Sequence, residues 1–410
     1  MKRVVVKLGG TSVSNSNRIH SGAESVYREY LNGTQIAVVV SAMGHTTDEL
    51  VKLAKTSTGG NLDTKDLDEI MAIGERASAH VFTSVLHSLG ANARYIGPER
   101  PEWPVITDSN FGMANIDLKT TRQRTKKFIL PLLKKRVIPV ICGFLGRDKE
   151  GNVTTIGRGG SDITGFLMGK CLDADDVIII TDVEGVMTAD PNKIPRARLV
   201  NDIKVEEMRD LARFGAQIMH PRAMGYKDSK ISARVIHFKY GNLSASGTNI
   251  TGPSEGELLG VKFYEKPLAM ITIVGENMQK TPGVLLKTSS PLSKAGINIF
   301  GVSLGPRSFS VYVVAKQTET ALKLLHTVVM GNKLMKSVTS EESLAMITAE
   351  SEKFIYTPGI ISKLTDPLSK MKINIIEILS SRTSISFFVN WEDRKQAFKL
   401  FKQAMRKIGV

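Results

Sequence analysis

Apolar positions in the first 250 residues fall into two rhythms. Short unbroken runs occur at Val4–Leu8, Gln35–Ser41, Arg94–Ile96, Val137–Cys142, Val177–Thr181 and Ala233–Phe238. Between them, apolar residues recur at helical spacing near 15–31, 45–57, 64–89, 117–135, 161–172 and 204–214. Runs of this length are strands, and the stretches between them are long enough for helices. Val/Ile-rich strands with no polar alternation need cover on both faces, so the pattern predicts an α/β three-layer sandwich with a mostly parallel sheet. Ser161-Asp162 stands where an N-cap is expected, ahead of Ile163–Leu172. Asn242–Glu257, rich in Ser, Gly and Thr, reads as a linker closing a first domain of residues 1–250.

Behind the linker the pattern repeats with an offset of 76. Leu268-Ala269-Met270-Ile271-Thr272 returns as Leu344-Ala345-Met346-Ile347-Thr348, and Thr281-Pro282-Gly283 returns as Thr357-Pro358-Gly359. Between 268–314 and 344–390, 20 of 47 aligned positions are identical without a gap, which makes this a duplicated domain. Each copy reads strand, helix opening at Pro-Gly, strand, turn, strand, helix. The expected domains are 258–340 and 341–410, both α+β. The first copy has a closing strand near Lys333–Val338, and the second has none before Val410. The segment Leu258–Tyr264 is available to fill that edge, which would otherwise lie open.

Composition narrows the function. Hydrophobic residues make up 42% and charged residues 23%, as in a soluble globular protein. Met1 opens a strand rather than a secretory leader, and no run of 18 apolar residues spans a membrane, so a cytoplasmic location is expected. Cys142 and Cys171 sit in apolar surroundings and read as reduced core thiols. A net charge of +15 raises a nucleic-acid partner, but residues 261–410 carry 21 Lys and Arg against 11 Asp and Glu, leaving 34 against 29 before them. The basic residues near the end (Arg394, Lys395, Lys399, Lys402, Arg406, Lys407) alternate with Phe398, Phe401 and Met405 as on a solvated amphipathic helix. No nucleic-acid or membrane partner is expected.

Three glycine clusters each end an apolar run: Lys7-Leu8-Gly9-Gly10-Thr11-Ser12, Gly157-Arg158-Gly159-Gly160-Ser161-Asp162 and Thr181-Asp182-Val183-Glu184-Gly185. Adjacent glycines let backbone N–H groups approach phosphate oxygens, and strand carboxyl ends are where open α/β sheets bind ligands. Neither GxxxxGK[ST] nor a well-placed GxGxxG is present, so this is a nucleotide site of another kind. Together with Ser41-Ala42-Met43-Gly44, Thr47-Asp48, Gly74-Glu75-Arg76, the stretch from Thr181 to Pro191, and His220-Pro221-Arg222-Ala223, these clusters resemble the aspartate kinases of the amino acid kinase superfamily. The duplicated domain resembles the ACT domains of that family.

The resemblance implies an amino acid kinase-like sandwich plus two ACT-like domains. It also implies ATP-dependent phosphorylation of the β-carboxylate of L-aspartate, with ATP as co-substrate and Mg²⁺. It assigns Lys7 and Asp162 to catalysis, and Thr47, Glu75, Arg158 and Ser161 to the substrate. Lys7, Gly9, Gly10, Ser12, Thr181, Asp182, Gly185, Asp190 and Lys193 fall to ATP, and no protein metal ligand is named. Met278, Thr281, Gly283 and Asn298 of the first repeat are the expected effector contacts, for lysine or threonine, in a homodimer or higher homo-oligomer. Three positions depart from the pattern: Met187 stands where the family has an aromatic, an Arg is missing near Asn192, and Gln217 stands in place of a Lys. All three fall on the expected nucleotide side. They leave open an amino-acid-sensing protein with a degraded kinase domain, and a sister kinase with another carboxylate substrate is a further alternative.

Overall fold

The computed structural model describes residues 1–408 except 215–217 and 253–259, and except the side chains of Glu352 and Tyr356. The chain divides into two units, Met1–Glu257 and Leu258–Val410. The first unit opens with β1 (Arg3–Leu8), α1 (Ser16–Leu31), β2 (Gln35–Val40), α2 (Thr46–Ser57), α3 (Thr64–Ser88) and β3 (Ala93–Ile96). A single helix then runs from α4 (Leu118–Arg124) through a π turn at Thr125–Ile129 into α5 (Leu130–Lys134). Pro131 has no N–H to continue the regular ladder, and the Leu130 N–H reaches back five residues to the Thr125 carbonyl. There follow β4 (Ile138–Cys142), β5 (Leu145–Arg147), β6 (Val153–Thr155), α6 (Gly160–Leu172), β7 (Asp176–Thr181), β8 (Asp202–Lys204), α7 (Val205–Arg213), β9 (Ser232–His237) and β10 (Thr248–Thr251).

Eight of these strands form one sheet in the order β3-β4-β2-β1-β7-β9-β10-β8. Every neighbouring pair is parallel except β9 with β10. The alternation of β1 shows why the sheet needs two helical layers. A Cβ on Gly22 of α1 would lie 2.7 Å from Leu8, whereas one on Gly165 of α6 would lie 3.2 Å from the Lys7 Cβ. Neighbouring residues of β1 thus face helices on opposite sides. Val4, Val5, Val6 and Leu8 are all buried, each contributing about 1.5–3 kcal/mol relative to exposure. Cys142 and Cys171 are free thiols in this core, where burial raises both above the ordinary thiol range.

Two expectations are corrected. The α6 N-cap is Gly159, at φ 73°, so Ser161 and Asp162 lie in the first helical turn and not at the cap. The stretch Asn242–Glu257 is not all linker, because Thr248–Thr251 is β10, paired with β8 and β9. Residues 253–257 of that stretch lie outside the described residues.

The second unit carries β11 (Gly260–Phe263), β12 (Leu268–Gly275), α8 (Val284–Lys294), β13 (Gly301–Leu304), β14 (Ser308–Val314), α9 (Thr318–Met330), β15 (Met335–Glu350), α10 (Ile360–Lys370), β16 (Ile375–Ser380), β17 (Ser384–Asn390) and α11 (Arg394–Lys407). One sheet runs β13-β14-β12-β15-β17-β16, with β11 on β15. The long β15 serves both copies: Met335–Glu341 pairs with β12, and Leu344–Glu350 pairs with β17. Between the halves Ser343 adopts φ 62°, and its carbonyl accepts from the Trp391 N–H. The β11 strand pairs antiparallel with Ile347–Glu350, while Leu258 and Leu259 lie outside the described residues. The duplication persists in the packing: the 76-residue equivalents Tyr312 and Phe388 stack at 3.9 Å, beside Leu268 paired with Leu344. The equivalent hydroxyl pairs Thr272–Ser310 and Thr348–Ser386 bond at 2.9 and 2.8 Å.

Candidate active site

The carboxyl end of β1 sets Lys7 beside Asp162 of α6. The Lys7 side chain is nearly buried, and its Nζ lies 2.6 Å from Asp162 Oδ1. Gly165, one turn along α6 from Asp162, leaves room for the Lys7 stem, which explains a glycine inside an otherwise regular helix. The second Asp162 oxygen accepts from the His220 N–H at 3.3 Å. The glycine run after β1 packs backbone to backbone. The Gly9 N–H donates to Ile180 O at 3.0 Å, and a Cβ on Gly10 would stand 2.9 Å from the Ala42 carbonyl. Ser12 Oγ donates to the same Ile180 O at 3.2 Å, tying the β1 turn to the end of β7.

On the α3 side, Glu75 is 5% exposed and its Oε2 has no hydrogen-bond partner. Burial pushes Glu75 up to about 8, against the opposing pull of the Ala42 backbone hydrogen bond and the Lys7 charge. Thr47 Oγ1 is also buried and without a hydrogen bond. A Cβ on Gly74 would come within 3.0 Å of both Thr47 Oγ1 and Ala42 Cβ. That close approach accounts for a glycine costing about 1 kcal/mol in mid-helix. A carboxylate with one oxygen unpartnered in so dry a place is costly to ionise unless a cation joins it.

Ser161 accepts at Oγ from Ser41 at 2.8 Å, linking α6 to the end of β2. Arg158 is exposed and carries no hydrogen bond or ion pair among the described residues. It sits in a turn whose neighbours Gly157 and Gly159 take φ 79° and 73°. A side chain at Gly159 would run into His220, and Arg222 holds the same turn by donating to Ile156 O at 2.9 Å.

The nucleotide-side residues are more dispersed. Thr181 ends β7 and donates to Asp182 Oδ1 at 3.2 Å. Gly185, at φ 139°, packs where a Cβ would meet Thr248 Oγ1 at 2.5 Å; that hydroxyl accepts from Val186 N–H and donates to Val200 O. Asp190 caps the turn through the Asn192 N–H, and Lys193 is exposed. Neither Asp190 nor Lys193 hydrogen-bonds to the Lys7–Asp162 pair. Met187 is half-buried and Asn192 exposed, while Gln217 lies outside the described residues. No three His, Cys, Asp or Glu side chains converge as a metal cage among the described residues.

Of the expected effector contacts, Thr281 donates to Asn277 O, Gly283 caps α8 at φ 83°, and Asn298 is exposed. Met278 is different: at 2% exposure it packs in the first repeat's core and is not presented to a ligand. Sequence reasoning gave no role to Ser41, His220 or Arg222, although all three lie in the stretches quoted for the resemblance. Each acts through a partner more than 50 residues away.

Lys7, Asp162 and their glycine turns stand at strand ends of a mostly parallel sheet, an α/β architecture that comparison with known proteins places in a phosphotransferase family. The Amino acid kinase family matches residues 2–237, and the ACT domain matches residues 264–327 and 339–403. The chain belongs to the amino acid kinase family. Its full-length likeness places it among that family's aspartokinases. It is 32% identical over 419 residues to an aspartokinase of Thermus thermophilus, with 98% of each chain covered. The crystal structure of aspartate kinase from Synechocystis superposes with a TM-score of 0.81 at 25% identity, over 98% of this chain and 69% of that one. E. coli aspartokinase III, solved with aspartate and ADP, shares the fold at a TM-score of 0.56 and 22% identity, over 98% of this chain and 99% of that one. Its complex with lysine and aspartate gives 0.54 and 24% over the same shares.

Proposed function

We infer that the chain transfers the γ-phosphoryl group of ATP to the β-carboxylate of L-aspartate, making 4-phospho-L-aspartate, the opening step toward lysine, threonine and methionine. The observation that carries this reading is Glu75, a buried carboxylate with an oxygen unpartnered among the described residues, one residue after the Gly74 that packs on Thr47, and within the field of Lys7. The ammonium of a free amino acid supplies the missing cation; an N-acylated substrate has none. Arg158, unpaired, takes the α-carboxylate by a two-point contact. The β-carboxylate, with a pKa of about 3.9, is already an ionised nucleophile and needs no general base. Its oxygen forms the new bond to the γ-phosphorus as the bond to the β–γ bridging oxygen breaks and ADP leaves. Lys7 stabilises the charge on the transferring group, and Asp162 holds Lys7 in place.

Thr47 and Ser161 complete the substrate side. Gly9, Gly10, Ser12, Thr181, Asp182, Gly185, Asp190 and Lys193 form the ATP side. Mg²⁺ would supply charge neutralisation at the phosphates; this ion keeps its waters and binds mainly through phosphate oxygens, so no protein ligand is assigned to it. The reaction belongs to the cytoplasm. ATP-dependent hydroxamate formation, run in parallel with L-aspartate, glutamate and N-acetylglutamate, tests the reading. Turnover is expected with L-aspartate and not with N-acetylglutamate. A folded protein inactive on all three would make the chain an amino-acid sensor.

The ACT pair assembles the chain into a homodimer or higher homo-oligomer and binds lysine or threonine. Lysine appears with E. coli aspartokinase III, which supports this choice. Thr281, Gly283 and Asn298 of the first copy carry the effector. The turns Asn277–Thr281 and Lys353–Thr357 differ in sequence between copies, so one strong site per chain is expected. Inhibition follows if the effector binds a low-activity arrangement more tightly, by about 1–3 kcal/mol. Calorimetric titration of the intact chain should give saturable heat with one of the two amino acids. Heat from neither would leave the repeats as assembly modules.

A further inference from the structure

Asp68 is the most completely buried carboxylate that the chemistry above does not use, at 0% exposure. It lies on α3, two turns before Glu75, a rise of roughly 10 Å along the helix. Among the described residues no cation pairs with it. Four contacts from backbone N–H groups and one hydroxyl converge on its oxygens instead. Oδ1 accepts from Thr155 Oγ1 at 2.7 Å and from Gly112 N–H at 3.1 Å; Oδ2 accepts from Thr155 N–H at 2.8 Å and from the same Gly112 N–H at 2.9 Å. Burial raises the Asp68 pKa, and these donors pull it back.

Both anchored residues lead to Arg158. Thr155 ends β6, three residues ahead of it. The Gly112 carbonyl lies 3.5 Å from where a Cβ on Gly157 would stand, with Met113 and the Arg222 guanidinium at the same distance. The Ala114 N–H closes the frame on the Thr155 carbonyl at 2.9 Å. Asp68 therefore grips, from the helix that carries Glu75, the strand end and the loop that set the Arg158 turn.

We propose that Asp68 is a positioning residue that fixes the separation between Glu75 and Arg158, and so matches the site to the spacing of ammonium and α-carboxylate in a free amino acid. This rests on the substrate roles given above to Glu75 and Arg158. A purely structural Asp68 would weaken the fold and affect both substrates alike. A brace acts on one substrate, because loosening it displaces the α-carboxylate contact while Lys7, Asp162 and the β1 turn stay in place.

Steady-state kinetics on Asp68→Asn, Arg158→Ala and the double variant test it. The carboxamide turns an NH₂ toward two N–H donors and breaks part of the grip. Asp68→Asn is expected to raise the aspartate KM about tenfold, with the ATP KM and kcat within about threefold of the parent chain. In the Arg158→Ala background the same change should add less than about twofold, because both act on one contact. Should Asp68→Asn fail to fold, Thr155→Val removes one donor and is expected to raise the aspartate KM about threefold. An unchanged aspartate KM in Arg158→Ala overturns the α-carboxylate assignment and this inference with it. A raised KM in Arg158→Ala overturns the brace alone if Asp68→Asn leaves aspartate KM unchanged, moves both substrates equally, or adds its full effect in the double variant. With Thr155→Val as the substitute, a flat aspartate KM does the same.

Discussion

Replacing Lys7 by alanine should lower kcat by at least about 10²–10³-fold, the loss typical of removing one preorganised stabiliser of transition-state charge. The expectation follows from placement. Lys7 sits at the carboxyl end of β1, is 7% exposed, and is ion-paired to Asp162 at 2.6 Å. A cation held so firmly loses little order when the phosphoryl group passes, and low local dielectric strengthens its effect. Removing it also strands Asp162, and breaking a buried pair costs stability, by about 3–5 kcal/mol in typical cases. Activity must therefore be read on protein shown to be folded by circular dichroism and thermal melting. A folded Lys7→Ala chain with kcat within tenfold of the parent would remove Lys7 from the chemistry.

Glu75→Gln should act on binding instead, raising the aspartate KM by about tenfold or more with a smaller change in kcat, because the ammonium contact is made before the chemical step. The pH dependence is the sharper signature. With Glu75 raised to about 8, its carboxyl is largely protonated at pH 7 before aspartate binds. Aspartate must then ionise Glu75 to pair with it, releasing a proton. The aspartate KM should therefore fall as pH rises from about 6.5 through 8, by up to tenfold per pH unit for one linked proton. The glutamine variant should lose this slope. The same shift sets a stability trend. Glu75 contributes stability that is fully present below its ordinary pKa of 4.5 and lost as pH rises through about 8, so the ligand-free chain weakens over that window. Aspartate saturation that is unaltered in Glu75→Gln would displace the ammonium from this residue.

Much of the fold was legible because its signals are local. The six apolar runs became β1, β2, β3, β4, β7 and β9 with boundaries shifted by at most one residue. An unbroken Val/Ile run has only one way to bury both of its faces. The helices followed for the same reason, including the residue 117–135 stretch, whose π turn at Thr125–Ile129 left its length intact. What the pattern missed were pieces too short to show a period: the three-residue strands β5, β6 and β8, and β10 inside a Ser/Thr/Gly-rich stretch. Thr248–Thr251 is a strand because β8 and β9 offer it partners, not because its own residues demand one.

The sequence by itself determined the order of the longer strands and helices, the duplication at 76 residues, and the clustering of Lys7, Arg158 and Asp162 near glycines at strand ends. These follow from periodicity and from the few residues that tolerate a tight turn. Only the tertiary structure decided what each group does to its neighbours. It brought Lys7 within 2.6 Å of Asp162, 155 positions away, turned Met278 into the core, and left Glu75 dry with one oxygen unpartnered among the described residues. It also showed Asp68, which reads in sequence as one more acid on a helix, gripping Thr155 across 87 residues. Burial depth and long-range hydrogen bonding are properties of the assembled layers. A carboxylate's charge state depends on them, and no local pattern encodes it.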